Sequence, residues 1–174
     1  MTLPTLGHFD PLTRLLNRRG FLRAGDQLLA GLSGLHCGAA VHFIDVDGLQ
    51  RINDAYGHAE GDEILRRTAG VMRETFRSVD VLARIHGDEF AALTLSCGPG
   101  DVESVSARLA EALQVENVRR APPVLSLSLV HAPVNPTHPG ALEDILRFAD
   151  TAMYGYKISK LLDLELAARS SGAH

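Results

Sequence analysis

The chain is poor in the residues that usually signal a specialised architecture. Tryptophan is absent and aromatic residues make up 5% of the 174 positions, so no platform for stacking nucleobases stands out. Only Cys37 and Cys97 occur. They lack the paired spacing of a zinc site, which argues against a structural metal or disulfide scaffold and for two reduced, mostly buried thiols. Basic residues are outnumbered, 17 Lys plus Arg against 21 Asp plus Glu for a formal charge of −4. No basic run is long enough to follow a phosphate backbone, so nucleic acid is not an expected partner. No apolar stretch approaches the roughly 18 residues of a membrane span, and Met1 to Asp10 lack the basic start and apolar centre of a signal peptide. A cytoplasmic chain with no direct membrane insertion is expected.

What is present is 45% apolar and 22% charged, enough for one packed domain. Asn17 is placed to cap a helix from Arg18 to about Leu32, with Phe21, Leu28, Leu29 and Leu32 on one side. Gly38 to Asp45 reads as a buried strand ending at the polar Asp45-Val46-Asp47-Gly48 turn. A short helical piece is expected over Leu49 to Ala55. After Gly57, apolar residues from Ile64 to Phe76 recur at helical spacing within a second helix, from about Ala59 to Arg77. Two β-type runs follow, Val81 to Ile85 and Phe90 to Leu95, joined by the hairpin-length His86-Gly87-Asp88-Glu89. Val102 to Val115 reads as helix, Val124 to Val130 as strand and Pro133 to Gly140 as loop, and a last helix begins near Ala141.

Without its flanking helices this order is β-α-β-β-α-β, the split βαβ arrangement of ferredoxin-like folds: an α+β, palm-type core whose central antiparallel sheet is flanked by helices. In that topology the first and third strands are antiparallel neighbours. The end of the first strand at Asp45 then meets the hairpin carboxylates Asp88 and Glu89, and Cys37 and Cys97 fall near each other at the opposite end, expected reduced. Grouped carboxylates beside loop backbone suit Mg²⁺, a cation that prefers oxygen ligands and shares them with substrate phosphates. An exposed acidic turn is the plainer alternative. The positions after Asp45 and Asp47 do not continue as an EF-hand loop, since Leu49, Gln50 and Tyr56 stand there.

Asp10-Pro11-Leu12-Thr13, Asn17-Arg18-Arg19, Asp45-Val46-Asp47, Ile52-Asn53-Asp54, Tyr56-Gly57-His58, Gly61-Asp62, Arg84 with His86-Gly87-Asp88-Glu89-Phe90, and Ala149-Asp150 to Lys157 occur in this order. Together they resemble the GGDEF domain of diguanylate cyclases. The resemblance spans residues 10–160, with 1–9 as a lead-in and 161–174 as a C-terminal helical extension or linker. It implies a domain in which two GTP molecules, one per subunit of an antiparallel homodimer, condense to cyclic di-GMP and pyrophosphate with Mg²⁺, or possible Mn²⁺, as cofactor. By position, Asp45, the Val46 carbonyl and Asp88 would hold the metal, and Glu89 would assist as metal partner or base. The catalytic set is then Asp45, Asp88 and Glu89. Asn53 and Asp62 would read guanine, and His86, Gly87 and Lys157 would complete the GTP site.

The match departs from the family on the triphosphate side. His86 replaces the first glycine of the GGDEF motif, where an imidazole either crowds the hairpin or offers a new phosphate contact. Gln50 stands where the family usually has a phosphate-binding lysine, and Lys160-Leu161 replaces the usual Gly-Arg. A lost charged hydrogen bond is worth about 1.5–3 kcal/mol, so two losses weaken GTP binding by roughly two to four decades. Arg77-Ser78-Val79-Asp80 is an RxxD five residues before the hairpin, the register of the family's inhibitory cyclic di-GMP site. Arg77 and Asp80 suit such a ligand, because Arg binds phosphate bidentately and Asp accepts from guanine. Three readings follow from the resemblance. The first is a cyclic di-GMP signalling domain that binds GTP and/or cyclic di-GMP with impaired or absent cyclase activity. The second is an active homodimeric cyclase, and the third a GTP-binding regulatory piece of a larger protein with a fused or associated phosphodiesterase or sensor domain.

Overall fold

The computed structural model describes residues 6–32, 37–96, 100–138 and 140–148. A 3-10 turn over Leu6–His8 precedes α1 (Arg18–Ala30), β1 (Gly38–Val46), α2 (Leu49–Tyr56), α3 (His58–Thr75), β2 (Val81–His86), β3 (Glu89–Ser96), α4 (Asp101–Arg119) and β4 (Leu127–Val134), and residues 141–148 are helical. The four strands form one antiparallel sheet in the order β2-β3-β1-β4. This is the expected split βαβ core, with β1 and β3 at its centre.

Period-two alternation in β1 sorts its side chains between two cores. Val41 and Phe43 join Phe21 and Leu29 of α1, Leu93 of β3, and Leu142 and Leu146. Ile44 and Val46 join Ile64, Leu65 and Met72 of α3, Phe90 of β3, and Val105 and Leu109 of α4. Nearly all of β1 is buried as a result. Asn17 caps α1 as expected, its side-chain oxygen accepting from the Gly20 N–H at 2.9 Å.

Three boundaries shift. Helix α4 runs four residues past Val115, to Arg119. Strand β4 begins at Leu127 instead of Val124 because Asn117 occupies the Leu125 backbone, donating to its carbonyl at 2.8 Å and accepting from its N–H at 2.9 Å. The same strand continues through Pro133 to Val134, residues expected in a loop. β4 is an edge strand, where a residue without an N–H is tolerated.

A fourth difference concerns Cys37, which is disulfide-bonded rather than reduced. The register pairs Gly38, the residue after Cys37, with Ser96 at the end of β3. Cys97 itself lies outside the described residues, as do residues 149–174 with Lys157 and Lys160.

Candidate functional site

The β1–β3 register sets Asp45 directly opposite Glu89, and the Val46 N–H donates to the Asp88 carbonyl at 3.1 Å. The end of β1 and the β2–β3 turn thus adjoin, as the topology requires. Asp45 is 3% exposed, whereas Asp88 and Glu89 are half-buried. Among the described residues no three His, Cys, Asp or Glu side chains gather into a ready-made metal cage. Asp45, the Val46 backbone and the half-buried Asp88 instead bring oxygen atoms together at the end of the β1–β3 pair. Asp47 has a different task. Its carboxylate accepts from Ser126 Oγ and Ser128 Oγ, each at 2.6 Å, while its N–H donates to the Ser126 carbonyl at 2.9 Å. It ties the loop after β1 to β4.

The hairpin places His86 at the end of β2, exposed, with a register shift between Arg84 and His86. The positive φ of the turn falls on Gly87, at 45°, and His86 is not among the positive-φ residues. His86 therefore carries its imidazole without backbone strain. Arg84 braces the same turn from behind. Its Nε donates to the Gly87 carbonyl at 2.8 Å, and its Nη1 reaches Asp10 Oδ1 at 3.2 Å.

Asn53 on α2 and Asp62 on α3 are brought together by Gly61. A Cβ at Gly61 would fall 1.9 Å from Asn53 Oδ1, so the missing side chain is what lets the Asn53 amide lie against α3, one residue from Asp62. Asp62 is exposed. Gln50 donates to Asp54 at 2.8 Å.

Arg77 and Asp80 form a tight turn before β2. The Asp80 carboxylate accepts from the backbone N–H of Arg77 at 2.7 Å, not from its guanidinium, and among the described residues that guanidinium forms no ion pair. Burial raises the Asp80 pKa above its ordinary value, opposed by the Arg77 N–H and by the charges of Arg77 and Arg108. Arg77, Asp80, Asp101 and Arg108 line one small cleft. Sequence reasoning missed Arg108. The available signal was its place beside buried Val105 and Leu109 on the inward side of α4, where an arginine needs a reason to be. Its Nε is buried without a hydrogen-bond partner.

This fold is shared with solved GGDEF domains. One such structure is the coiled coil and GGDEF domain of DgcB from Caulobacter crescentus in complex with c-di-GMP. It superposes with a TM-score of 0.71 at 25% identity, covering 87% of this chain and 81% of that one. The family model described as "Diguanylate cyclase, GGDEF domain" matches residues 7–160, and the chain belongs to that family. Diguanylate cyclase DosC of Escherichia coli (strain K12) is 32% identical over 148 residues, 83% of this chain and 32% of DosC. The cyclic di-GMP phosphodiesterase PdeR of the same strain is 30% identical over 155 residues, 89% of this chain and 23% of PdeR. The chain spans less than half the length of the curated relatives it matches. No helix among the described residues is long and apolar enough to cross a membrane.

Proposed function

We propose that this GGDEF domain acts in cyclic di-GMP signalling chiefly by binding nucleotide, with cyclic di-GMP held in the cleft of Arg77, Asp80 and Arg108 and with weakened cyclase activity. One observation carries the reading. Two guanidiniums and two carboxylates line one cleft, and the Arg108 Nε–H is buried with no partner among the described residues. A buried donor left unmatched costs more than a hydrogen bond contributes, and it calls for a partner. A cyclic dinucleotide supplies phosphate oxygens for the arginines and guanine N–H groups for the carboxylates.

The GTP site retains its donor set while its countercharge is reduced. Asp45, Asp88 and the Val46 carbonyl offer the hard oxygen ligands that Mg²⁺ or Mn²⁺ takes, with Glu89 beside them. When bound, such an ion would polarise the phosphoryl group and lower the cost of the charge that develops on it. Asn53 and Asp62 are disposed to read a guanine edge. On the triphosphate side Gln50 is neutral and engaged with Asp54, and His86 and Gly87 occupy the turn. Lys157 belongs to the same proposed set from outside the described residues.

A second reading, an active homodimeric cyclase, is favoured by the absence of positive φ at His86. Both readings accommodate a phosphodiesterase or sensor domain joined to residues 10–160. The deciding experiment strips the protein of nucleotide, supplies GTP with Mg²⁺ at high protein concentration, and quantifies cyclic di-GMP, with Asp45→Ala as control. Calorimetric titration with cyclic di-GMP, for wild type and Arg77→Ala, accompanies it. Our reading expects tight product binding that Arg77→Ala abolishes and little synthesis. Robust synthesis lost in Asp45→Ala establishes the cyclase instead, and a wild type that does not bind cyclic di-GMP removes the receptor role.

A further inference from the structure

Beneath the Arg77–Asp80 cleft lies a polar seam that no requirement of folding explains. His42 sits in the middle of β1 with no exposure, on the face covered by α3 and α4, its ring 5.6 Å from Phe76 and 6.1 Å from His131 across the β1–β4 pair. Its Nε2 lies 3.0 Å from Thr94 Oγ1, and its Nδ1 is buried with no hydrogen-bond partner among the described residues. Thr94 is itself 6% exposed and lines the cleft together with Arg77, Asp80 and Arg108. A leucine or valine at either position would pack the same space without polar atoms to satisfy.

We propose that Thr94 is a ligand contact of this cleft, its hydroxyl oriented toward the bound nucleotide by the fully buried His42, a positioning residue acting through it. The inference rests on the reading of Arg77 and Asp80 as the cyclic di-GMP site and adds to it a side chain from the sheet floor.

The orientation follows from which orphan is cheaper. Burial, with the charges of His131 and Arg108, lowers the His42 pKa to about 4, so the ring is neutral at pH 7. A neutral ring carries one N–H. If that proton were on Nδ1, a buried donor would go unmatched among the described residues. With the proton on Nε2, the ring donates to Thr94 Oγ1 and leaves on Nδ1 only a lone pair, the less costly orphan. The Nε2–H form occupies one Thr94 acceptor site and leaves the Thr94 hydrogen undirected by protein, since His42 is the only side-chain partner of Thr94 among the described residues. That O–H is free to be donated into the cleft, to a phosphate oxygen or a guanine acceptor. Arg77 and Arg108 offer donors from a turn and a helix. Thr94 adds one from the rigid centre of the sheet, where placement is tightest.

The test is calorimetric titration with cyclic di-GMP of four proteins: wild type, Arg77→Ala, Thr94→Ser and Thr94→Val. Thr94→Val keeps the shape and removes the hydroxyl. It is expected to weaken binding about threefold to tenfold, the span of one neutral hydrogen bond, while Thr94→Ser stays near wild type. Thermal unfolding of each variant separates lost contact from lost fold, and a Thr94→Val protein that unfolds like wild type yet binds less supports the inference. Equal affinity for Thr94→Val and wild type, with binding still abolished by Arg77→Ala, overturns the inference and leaves the site standing. Binding that is absent in wild type, or indifferent to Arg77→Ala, overturns the site and the inference with it. The His42 tautomer is read independently from nitrogen–proton correlations of the imidazole, and a proton on Nδ1 contradicts the proposed orientation.

Discussion

Asp10 and Arg84 stand 74 residues apart in sequence and share two contacts, 3.2 and 3.4 Å from Arg84 Nη1 to the two carboxylate oxygens. Asp10 Oδ2 also accepts from the Thr13 N–H and hydroxyl, each at 2.7 Å, and Arg84 Nε holds the Gly87 carbonyl. One ion pair therefore locks the turn before α1 to the tip of the acidic hairpin. Both side chains are 16% exposed, so solvent screens the pair only in part.

Arg84→Ala is accordingly expected to cost about 1.5–3 kcal/mol, the range for hydrogen bonds to charged groups, and to loosen the hairpin that carries Asp88 and Glu89. Urea unfolding measures the first effect, and hydrogen exchange at Gly87 to Phe90 the second. Burial raises the Asp10 pKa, but the Thr13 hydrogen bonds and the Arg84 charge outweigh it and leave the group below 3.8. A lowered folded pKa contributes stability that is present above the unfolded value and is lost as pH falls through the folded one. The contribution of Asp10 should therefore disappear only in strong acid. Unfolding energies of Arg84→Ala and wild type that agree within error would show the lock to be inert.

His42 makes the opposite demand on pH. Its folded pKa of about 4 lies below the ordinary imidazole value of 6.5, so between those values the unfolded chain takes up a proton that the folded one refuses. Stability should fall as pH drops from 6.5 toward 4 and level off below, by about 3 kcal/mol in all at roughly 1.36 kcal/mol per pH unit. The comparison is wild type against His42→Leu by urea unfolding at several values from pH 7.5 to 4. The variant should lack this component. Identical pH profiles would assign the acid sensitivity to other groups.

Much of this arrangement is legible in the sequence. Alternation in β1, the Asn17 cap and the hairpin-length turn were enough to set Asp45 against Glu89, because antiparallel pairing of the first and third strands is a consequence of topology. What stayed hidden depends on distant partners. Arg108 has no local pattern linking it to Asp80, and His42 reads like an ordinary strand residue until Thr94 and Arg108 surround it. Strand β4 began late because Asn117, eight residues upstream, holds the Leu125 backbone. The disulfide at Cys37 corrects only the reduced state expected from the absence of a cysteine motif, since the strand register already led Cys37 and Cys97 to be expected near each other.

Gly61 offers a test that separates site from fold. Alanine favours helix over glycine by about 0.8–1.0 kcal/mol, and the three heavy atoms nearest the new methyl all belong to the flexible Asn53 side chain. Gly61→Ala should therefore leave the unfolding midpoint unchanged or raised while pushing the Asn53 amide away from Asp62. If Asn53 and Asp62 read guanine, affinity for GTP in the presence of Mg²⁺ should fall about tenfold, the loss of one hydrogen bond at the upper end of its range. Undiminished GTP affinity in a folded Gly61→Ala protein would count against that assignment.

Arg67 carries the most consequential buried charge. Its side chain is 4% exposed and joins three partners, Glu116 at 2.8 Å, the Pro123 carbonyl at 3.0 Å and Asn117 at 3.3 Å. Through Asn117 it also supports the Leu125 backbone, and so it couples α3 to the end of α4 and the approach to β4. Arg67→Ala leaves the Pro123 carbonyl without its donor and Glu116 with only its longer contact to Arg120 at 3.7 Å, with an expected loss of about 3–5 kcal/mol. Arg67→Met restores the volume but not the donors. Because Glu116 is itself 18% exposed and can turn toward solvent, the methionine variant should recover a substantial part of that loss. Urea unfolding of the two variants decides between charge and packing. Equal losses mean that the hydrogen bonds hold the α3–α4 seam, and full recovery in Arg67→Met means that shape does.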